Sequence, residues 1–155
     1  MEPIFVKLRE KYGEKINFKV ICDQAWRSDL VEIEFERWEK TKEIEQLQSI
    51  DIGIMPLEND DWSRGKCGFK GLQYMALETP AVLSPVGVNI EIIRHGINGF
   101  LAKEPSEWVE VLSQLIEDES LRKKIGVEAR RTIIDRYSVE AIKSDYLKYF
   151  KELLR

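Results

Sequence analysis

Gly65-Lys-Cys-Gly-Phe-Lys-Gly-Leu-Gln-Tyr-Met-Ala-Leu-Glu-Thr-Pro80 is a glycine-rich turn with two lysines that runs directly into an apolar helix. The first turn of a helix carries backbone N–H groups without intrahelical acceptors and the positive end of the macrodipole, so an anion is favoured there. Lys66 and Lys70 place full positive charges beside it. Upstream, Asp51-Ile-Gly-Ile-Met-Pro-Leu57 reads as a short buried strand. The order strand, loop, glycine turn and helix is the usual placement of a ligand crevice in an open α/β sheet. The plainer alternative is a turn with solvated lysines.

Working outward, hydrophobic period alternates between helix and strand. Phe5, Leu8 and Tyr12 share one helical face in Pro3 to Tyr12, and Gly13 ends that helix. Ile16 to Cys22 reads as a strand, and Val31, Ile33 and Phe35 alternate with Glu32 and Glu34 as a half-exposed edge strand would. A polar helix is expected over Lys40 to Ile50, and a second buried strand over Ala81 to Ser84. Such alternation implies an α/β fold: a Rossmann-like parallel sheet flanked by helices, with right-handed crossovers. The last third is helical. Trp108, Val109, Leu112, Leu115 and Ile116 line one face behind Ser106 as N-cap, and Leu121, Ile125 and Ala129 line the next helix. Ser138 caps a third, whose stripe of Val139, Ile142, Tyr146, Phe150 and Leu153 is expected, most simply, to face its own core.

Composition bounds the function. At 155 residues, 43% hydrophobic and 34% charged, the chain suits one domain with a sizeable core. A net charge of −4 with scattered basic residues gives no footprint for nucleic acid. Cys22 and Cys67 stand far apart without metal spacing, which suggests neither a disulfide scaffold nor zinc and suits a reducing cytosol. No apolar run is long enough to span a membrane and no leader opens the chain, so the expected location is cytoplasmic, with any membrane association peripheral, at the inner face. The acidic run Glu58-Asn-Asp-Asp61 lacks the spacing that bridges a cation to a diphosphate and reads as a polar loop; no metal or other cofactor is expected. His95 reads as a surface turn residue, since no serine or cysteine motif points to it.

Asp51 to Leu57, Gly65 to Ala76, Ala81 to Gly87 and Asn98 to Ala102 follow one another in an order that resembles the donor-binding domain of family 4 retaining glycosyltransferases, which have the GT-B fold. It is most similar to members with a Lys-x-x-Glu-Tyr-Met-Ala helix start, matched by Lys70, Gln73, Tyr74, Met75 and Ala76. The resemblance covers about Phe5 to Leu154 and implies a single donor domain that takes a nucleotide-diphosphate sugar. It further implies that the amides around Cys67, Gly68 and Phe69 face the diphosphate, that Lys70 neutralises it, and that Gln73 bonds ribose hydroxyls. Lys66 is a second candidate for phosphate or sugar, so Lys70 and Lys66 are the candidate catalytic cations. Departure of the diphosphate develops negative charge, which fixed donors stabilise more in the transition state than in the ground state. Arg37 and Trp38 fall where relatives contact the base; Trp38 can stack on it or simply pack. Gly87, Glu91 and Gly99 match a following loop with structural roles, and because the family's final helix crosses back to the other domain, the resemblance implies that part of the stripe from Val139 to Leu153 is exposed when the chain is alone.

The chain departs from that pattern in four places. Gly65 and Gln73 stand where the family has its pair of glutamates, and Glu78 stands where it often has a helix-ending glycine. The family's donor domain opens with a central strand, whereas this chain begins at the following helix. That strand would sit between Ile16 to Cys22 and Asp51 to Leu57, and without it backbone groups are left unpaired or the neighbours close up. The expectation is a fragment, or one half of a split enzyme, whose sugar or lipid-linked acceptor is bound by an absent domain or companion chain. A nucleotide-sugar binding module that no longer catalyses is the alternative.

Overall fold

A computed structural model of the chain describes residues 1–154. Helix α1 (Glu2–Tyr12) buries Ile4, Phe5 and Leu8 and ends at Gly13. Phe5 stacks on Phe18 at 4.5 Å between ring centroids, and the Arg9 guanidinium donates to the carbonyls of Gly13 and Ile16, both at 2.9 Å. These contacts turn the chain into β1 (Lys19–Cys22), which pairs in parallel with β2 (Glu34–Arg37). The strand predicted around Val31 starts later, because Ser28 accepts from the amides of Leu30 and Val31 and holds that stretch as a turn. Its edge position is as expected: β2 has one partner strand.

After α2 (Glu43–Gln48), shorter than the predicted helix, β3 (Gly53–Met55), β4 (Ala81–Leu83) and β5 (Phe100–Leu101) form a second parallel sheet in that order. Between β3 and β4 lie α3 (Asp61–Arg64) and α4 (Phe69–Ala76). The acidic run is therefore not all loop: Asp60 accepts from the Ser63 amide at 2.7 Å and caps a helical turn. Helix α5 (Asn89–Ile92) precedes β5.

The central strand β4 divides the core by the period-two alternation of its side chains. Val82 packs with Leu8, Phe100, Trp108 and Leu115, whereas Ala81 and Leu83 pack with Met75, Ile92 and Ala129. The first cluster joins α1 to α6 (Pro105–Glu117), and the second joins α4 to α7 (Glu119–Arg136). Ser106 does not cap α6. Glu104 is the N-cap, and Glu107 reaches back to the amides of Lys103 and Glu104 at 2.7 and 3.0 Å, because Pro105 at the first helical position moves the helix start upstream. Ser138 does cap α8 (Val139–Leu153), accepting from the Ala141 amide at 3.1 Å.

The stripe on α8 does not face the chain's own core: no residue of that helix is buried, and Phe150 and Leu153 are 62% and 82% exposed. The preceding helix runs 18 residues, Glu119–Arg136, and α8 packs against it.

Glu78, just past α4, adopts φ 61°, the one left-handed non-glycine residue among those described. A side chain in that region costs about 1 kcal/mol relative to glycine. Glu78→Gly is expected to raise stability by about 1 kcal/mol in urea unfolding with unchanged m-value; an unchanged or lower midpoint would contradict the strain.

Candidate functional site

Helix α4 starts where the sequence places it. Gly68 is its N-cap with φ 69° and ψ 17°, a left-handed conformation open to glycine, and a Cβ there would also meet Ile92 Cδ1 at 2.5 Å. The first helical bond runs from the Leu72 amide to the Gly68 carbonyl at 3.1 Å. The amides of Phe69, Lys70 and Gly71 therefore have no intrahelical acceptor, and no side chain caps them. Beneath this end, the Asn89 side chain donates to the Ser84 carbonyl at 2.9 Å and Ser84 Oγ accepts from the Leu57 amide at 2.8 Å, which braces the loops leaving β3 and β4. The helix N-terminus thus lies at the carboxyl end of the second sheet.

The predicted residues fall into two groups. Trp38, Lys70 and Gln73 converge on the carboxylate of Glu43, at the start of α2. Trp38 Nε1 donates to Glu43 Oε1 at 3.2 Å, Lys70 Nζ lies 3.4 Å from the same oxygen, and the Gln73 side chain stands beside the carboxylate. These donors hold the Glu43 carboxyl below its ordinary value, Gln73 contributing most, then Trp38 and Lys70. Gln73 Oε1 is buried and has no partner. Lys66, Cys67 and Phe69 form the second group, exposed on the turn, and Lys66 makes no ion pair among the described residues. Arg37 is exposed at the end of β2, where its carbonyl accepts from the Gln46 side chain at 2.7 Å.

Glu43 was not legible as part of this cluster. It stands in the polar run Glu43-Ile-Glu-Gln-Leu-Gln48, where no spacing separates it from Glu45, and only the approach of α2 to α4 selects it. His95 is a turn residue, as expected: exposed, it accepts from the Leu101 amide at 3.2 Å and meets Phe100 edge to face. The two cysteines are free thiols, and no group of three or more potential ligands capable of holding a metal occurs among the described residues. No helix among those residues is long and apolar enough to cross a membrane.

Because the folded-state value of Glu43 is depressed, its interactions add stability in full above the ordinary carboxylate range. That contribution is lost as pH falls through the depressed value. Glu43→Gln is expected to flatten part of the acid limb of the stability-versus-pH curve and leave the neutral limb parallel to that of the unsubstituted chain. Superimposable curve shapes would show that the cluster does not form in solution.

Comparison with known proteins settles the family. A family model described as glycosyl transferases group 1 matches residues 5–118. The chain belongs to this family. Glycosyltransferase 1 domain-containing protein 1 from Xenopus tropicalis is 30% identical over 146 residues, covering 94% of this chain and 37% of that protein. N-acetyl-alpha-D-glucosaminyl L-malate synthase from Bacillus anthracis is 30% identical over 86 residues, 54% of this chain and 23% of the enzyme. This group 1 chain thus spans well under half the length of either relative. Among solved structures, HepE from Anabaena in complex with UDP superposes with a TM-score of 0.72 at 16% identity, over 97% of this chain and 44% of that one. A Rickettsia africae glycosyltransferase gives 0.71 at 17% identity, over 99% and 44%. The fold is the Rossmann-like half of a GT-B glycosyltransferase.

Proposed function

We propose that this glycosyl transferases group 1 domain binds a nucleotide-diphosphate sugar, with the diphosphate at the N-terminus of α4, as the donor half of a retaining, metal-independent sugar transferase. The observation that carries this is the set of unpartnered amides of Phe69, Lys70 and Gly71 behind left-handed Gly68, with the Lys70 ammonium alongside. In this reading those amides take the phosphate oxygens and Lys70 exchanges Glu43 for the diphosphate, which stabilises the leaving group as its charge develops. Lys66 lies free on the same turn to reach phosphate or sugar. The unsatisfied Gln73 Oε1 accepts from a ribose hydroxyl, and Trp38 and Arg37 lie on the side of the base. The acceptor, a sugar or lipid-linked sugar, is bound by another domain or chain.

One observation favours a second reading, a binding module without catalysis. Gly65 offers no side chain to the donor sugar, and Gln73 lacks the charge-assisted strength of a carboxylate, a loss on the order of 1 kcal/mol.

Thermal melting of the 155-residue chain with UDP, GDP and ADP tests the shared claim. Ligand at about a hundred times its Kd adds about 2.7 kcal/mol, a rise of several degrees at this size. A shift with one base supports the reading and names the nucleotide. A cooperative melt unmoved by all three overturns it for this chain.

A further inference from the structure

Helix α2 opens with Glu43, whose carboxylate reaches across to α4. Its acidic neighbours are engaged elsewhere. Glu36 pairs with Lys19 at 2.6 Å and accepts from the Gln46 side chain at 2.8 Å, and Glu39 pairs with Lys42 at 3.0 Å. Glu45, two positions on, lies on another face of α2 and is exposed. The bonds that Glu43 takes from Trp38 and Lys70 both fall on Oε1, whereas an ionised carboxylate offers about four acceptor sites over its two oxygens. The group stays ionised, since its carboxyl is held below the ordinary value, so it accepts and cannot donate. Its side chain is 28% exposed, which leaves it open to a ligand.

Around this carboxylate the chemistry changes in one direction. On one side Trp38 brings a partly exposed indole, its edge fixed by the bond from Nε1. On the other Lys70 brings an ammonium, and the unpartnered amides of Phe69, Lys70 and Gly71 follow. Aromatic ring, carboxylate, cation and helix N-terminus thus stand in the order of base, pentose and diphosphate in a nucleotide. Glu43 holds the pentose position, and the buried, unpartnered Oε1 of Gln73 stands beside it. Two acceptors recognise hydrogen-bond donors, and the vicinal hydroxyls of a ribose supply two. The amide at position 73 suits this arrangement, because a second carboxylate there would set like charges side by side and push one of them to protonate. As an ion pair within the chain, Glu43 with Lys70 contributes little, being partly exposed. Once Lys70 turns to a diphosphate, Glu43 loses that donor and has acceptor capacity for neutral hydroxyls.

We propose that Glu43 is a specificity-determining residue of the donor site, its carboxylate accepting hydrogen bonds from the 2′- and 3′-hydroxyls of the nucleotide's ribose and so selecting ribonucleotides over deoxynucleotides. This rests on the nucleotide reading and adds to it the charged group that recognises the pentose. Binding is then one exchange: the ammonium leaves the carboxylate for the diphosphate, and the hydroxyls take its place.

The test is calorimetric titration of the full chain with whichever of UDP, GDP and ADP shifts its melt, beside the 2′,3′-dideoxy form of the same nucleotide. The unsubstituted chain is expected to favour the ribonucleotide by about tenfold or more, the worth of a charge-assisted hydrogen bond. Glu43→Gln, close to isosteric, is expected to weaken the ribonucleotide by about tenfold while holding the dideoxynucleotide within about twofold, so that the preference disappears. Glu45→Gln removes the same charge from the same helix and is expected to keep the preference. A second measurement needs no variant: in carbon NMR of the unsubstituted chain, the Glu43 carboxyl is expected to shift differently with the two nucleotides. If Glu43→Gln binds the ribonucleotide as tightly as the unsubstituted chain, or more tightly, the proposal is overturned and Glu43 is only a counterion for Lys70. Equal losses for both nucleotides overturn it as well, because the effect would then run through Lys70. So do a changed base preference with the ribose preference intact, an equal loss in Glu45→Gln, and identical carboxyl shifts with both nucleotides. Failure of all three nucleoside diphosphates to bind overturns the nucleotide reading along with this inference, whereas binding whose ribose preference does not depend on Glu43 overturns this inference alone.

Discussion

Gly126→Ala is expected to destabilise the domain by about 3 kcal/mol, the upper end of overpacking effects, and to lower Tm by roughly 6–12 °C. A Cβ built on Gly126 in α7 would lie 2.0 Å from the carbonyl oxygen of Glu78 and 2.9 Å from its carbonyl carbon. Both are backbone atoms, so no rotamer change relieves the clash and the two segments must separate. That separation opens the cluster in which Ala129 of α7, wholly buried, packs with Met75 of α4 and with Ala81 and Leu83 of β4. Buried apolar surface is lost at about 25 cal/mol per Å² as the helices part, and the Arg130 bond to the Ala76 carbonyl is lost with it. Urea unfolding of the purified variant reads the effect directly. A change below about 0.5 kcal/mol, within the range of ordinary surface substitutions, would mean that α7 does not approach the end of α4 this closely.

Lys70→Ala is expected to weaken binding of the nucleoside diphosphate by about ten- to a hundredfold, the loss of one charge-assisted contact to phosphate. The apo protein should be nearly unaffected. The Lys70–Glu43 pair is partly exposed, 3.4 Å apart, and surface pairs contribute little. Glu43 also keeps its bond from Trp38. Calorimetric titration with the nucleotide that shifts the melt, beside a melt of the apo variant, separates the two effects. Lys70→Arg, which keeps the charge, is expected to lose less than Lys70→Ala. Equal affinity in all three proteins would remove Lys70 from the phosphate, even if the amides of α4 still bind it.

Much of the candidate site was legible because helix initiation is local. Gly68, the apolar periodicity of Leu72, Met75 and Ala76, and the preceding buried strand are near neighbours in the chain, and their conformation follows from backbone sterics and period. The left-handed turn at Glu78 was flagged only by the resemblance, since Glu78 stands where the family often has a helix-ending glycine. What escaped was mostly long-range. Glu43 meets Lys70 across 27 positions, and nothing near Glu43 marks that meeting. The N-cap of α6 was misplaced by two residues, because Ser106 has the better capping side chain while Pro105 fixes the helix start one residue after Glu104.

The sequence by itself determined the element order, the parallel α/β class, the helix N-terminus with its lysines and the edge position of β2, all of which depend on period, turn chemistry and charge within a few residues. Only the tertiary structure decided that Trp38 and Lys70 share the Glu43 carboxylate with Gln73 beside it, that no residue of α8 is buried, and that two facing sheet edges enclose an apolar cleft. Those features depend on which surfaces meet after the chain has closed on itself, and the free energy of such contacts is a property of pairs distant in sequence, not of any local run.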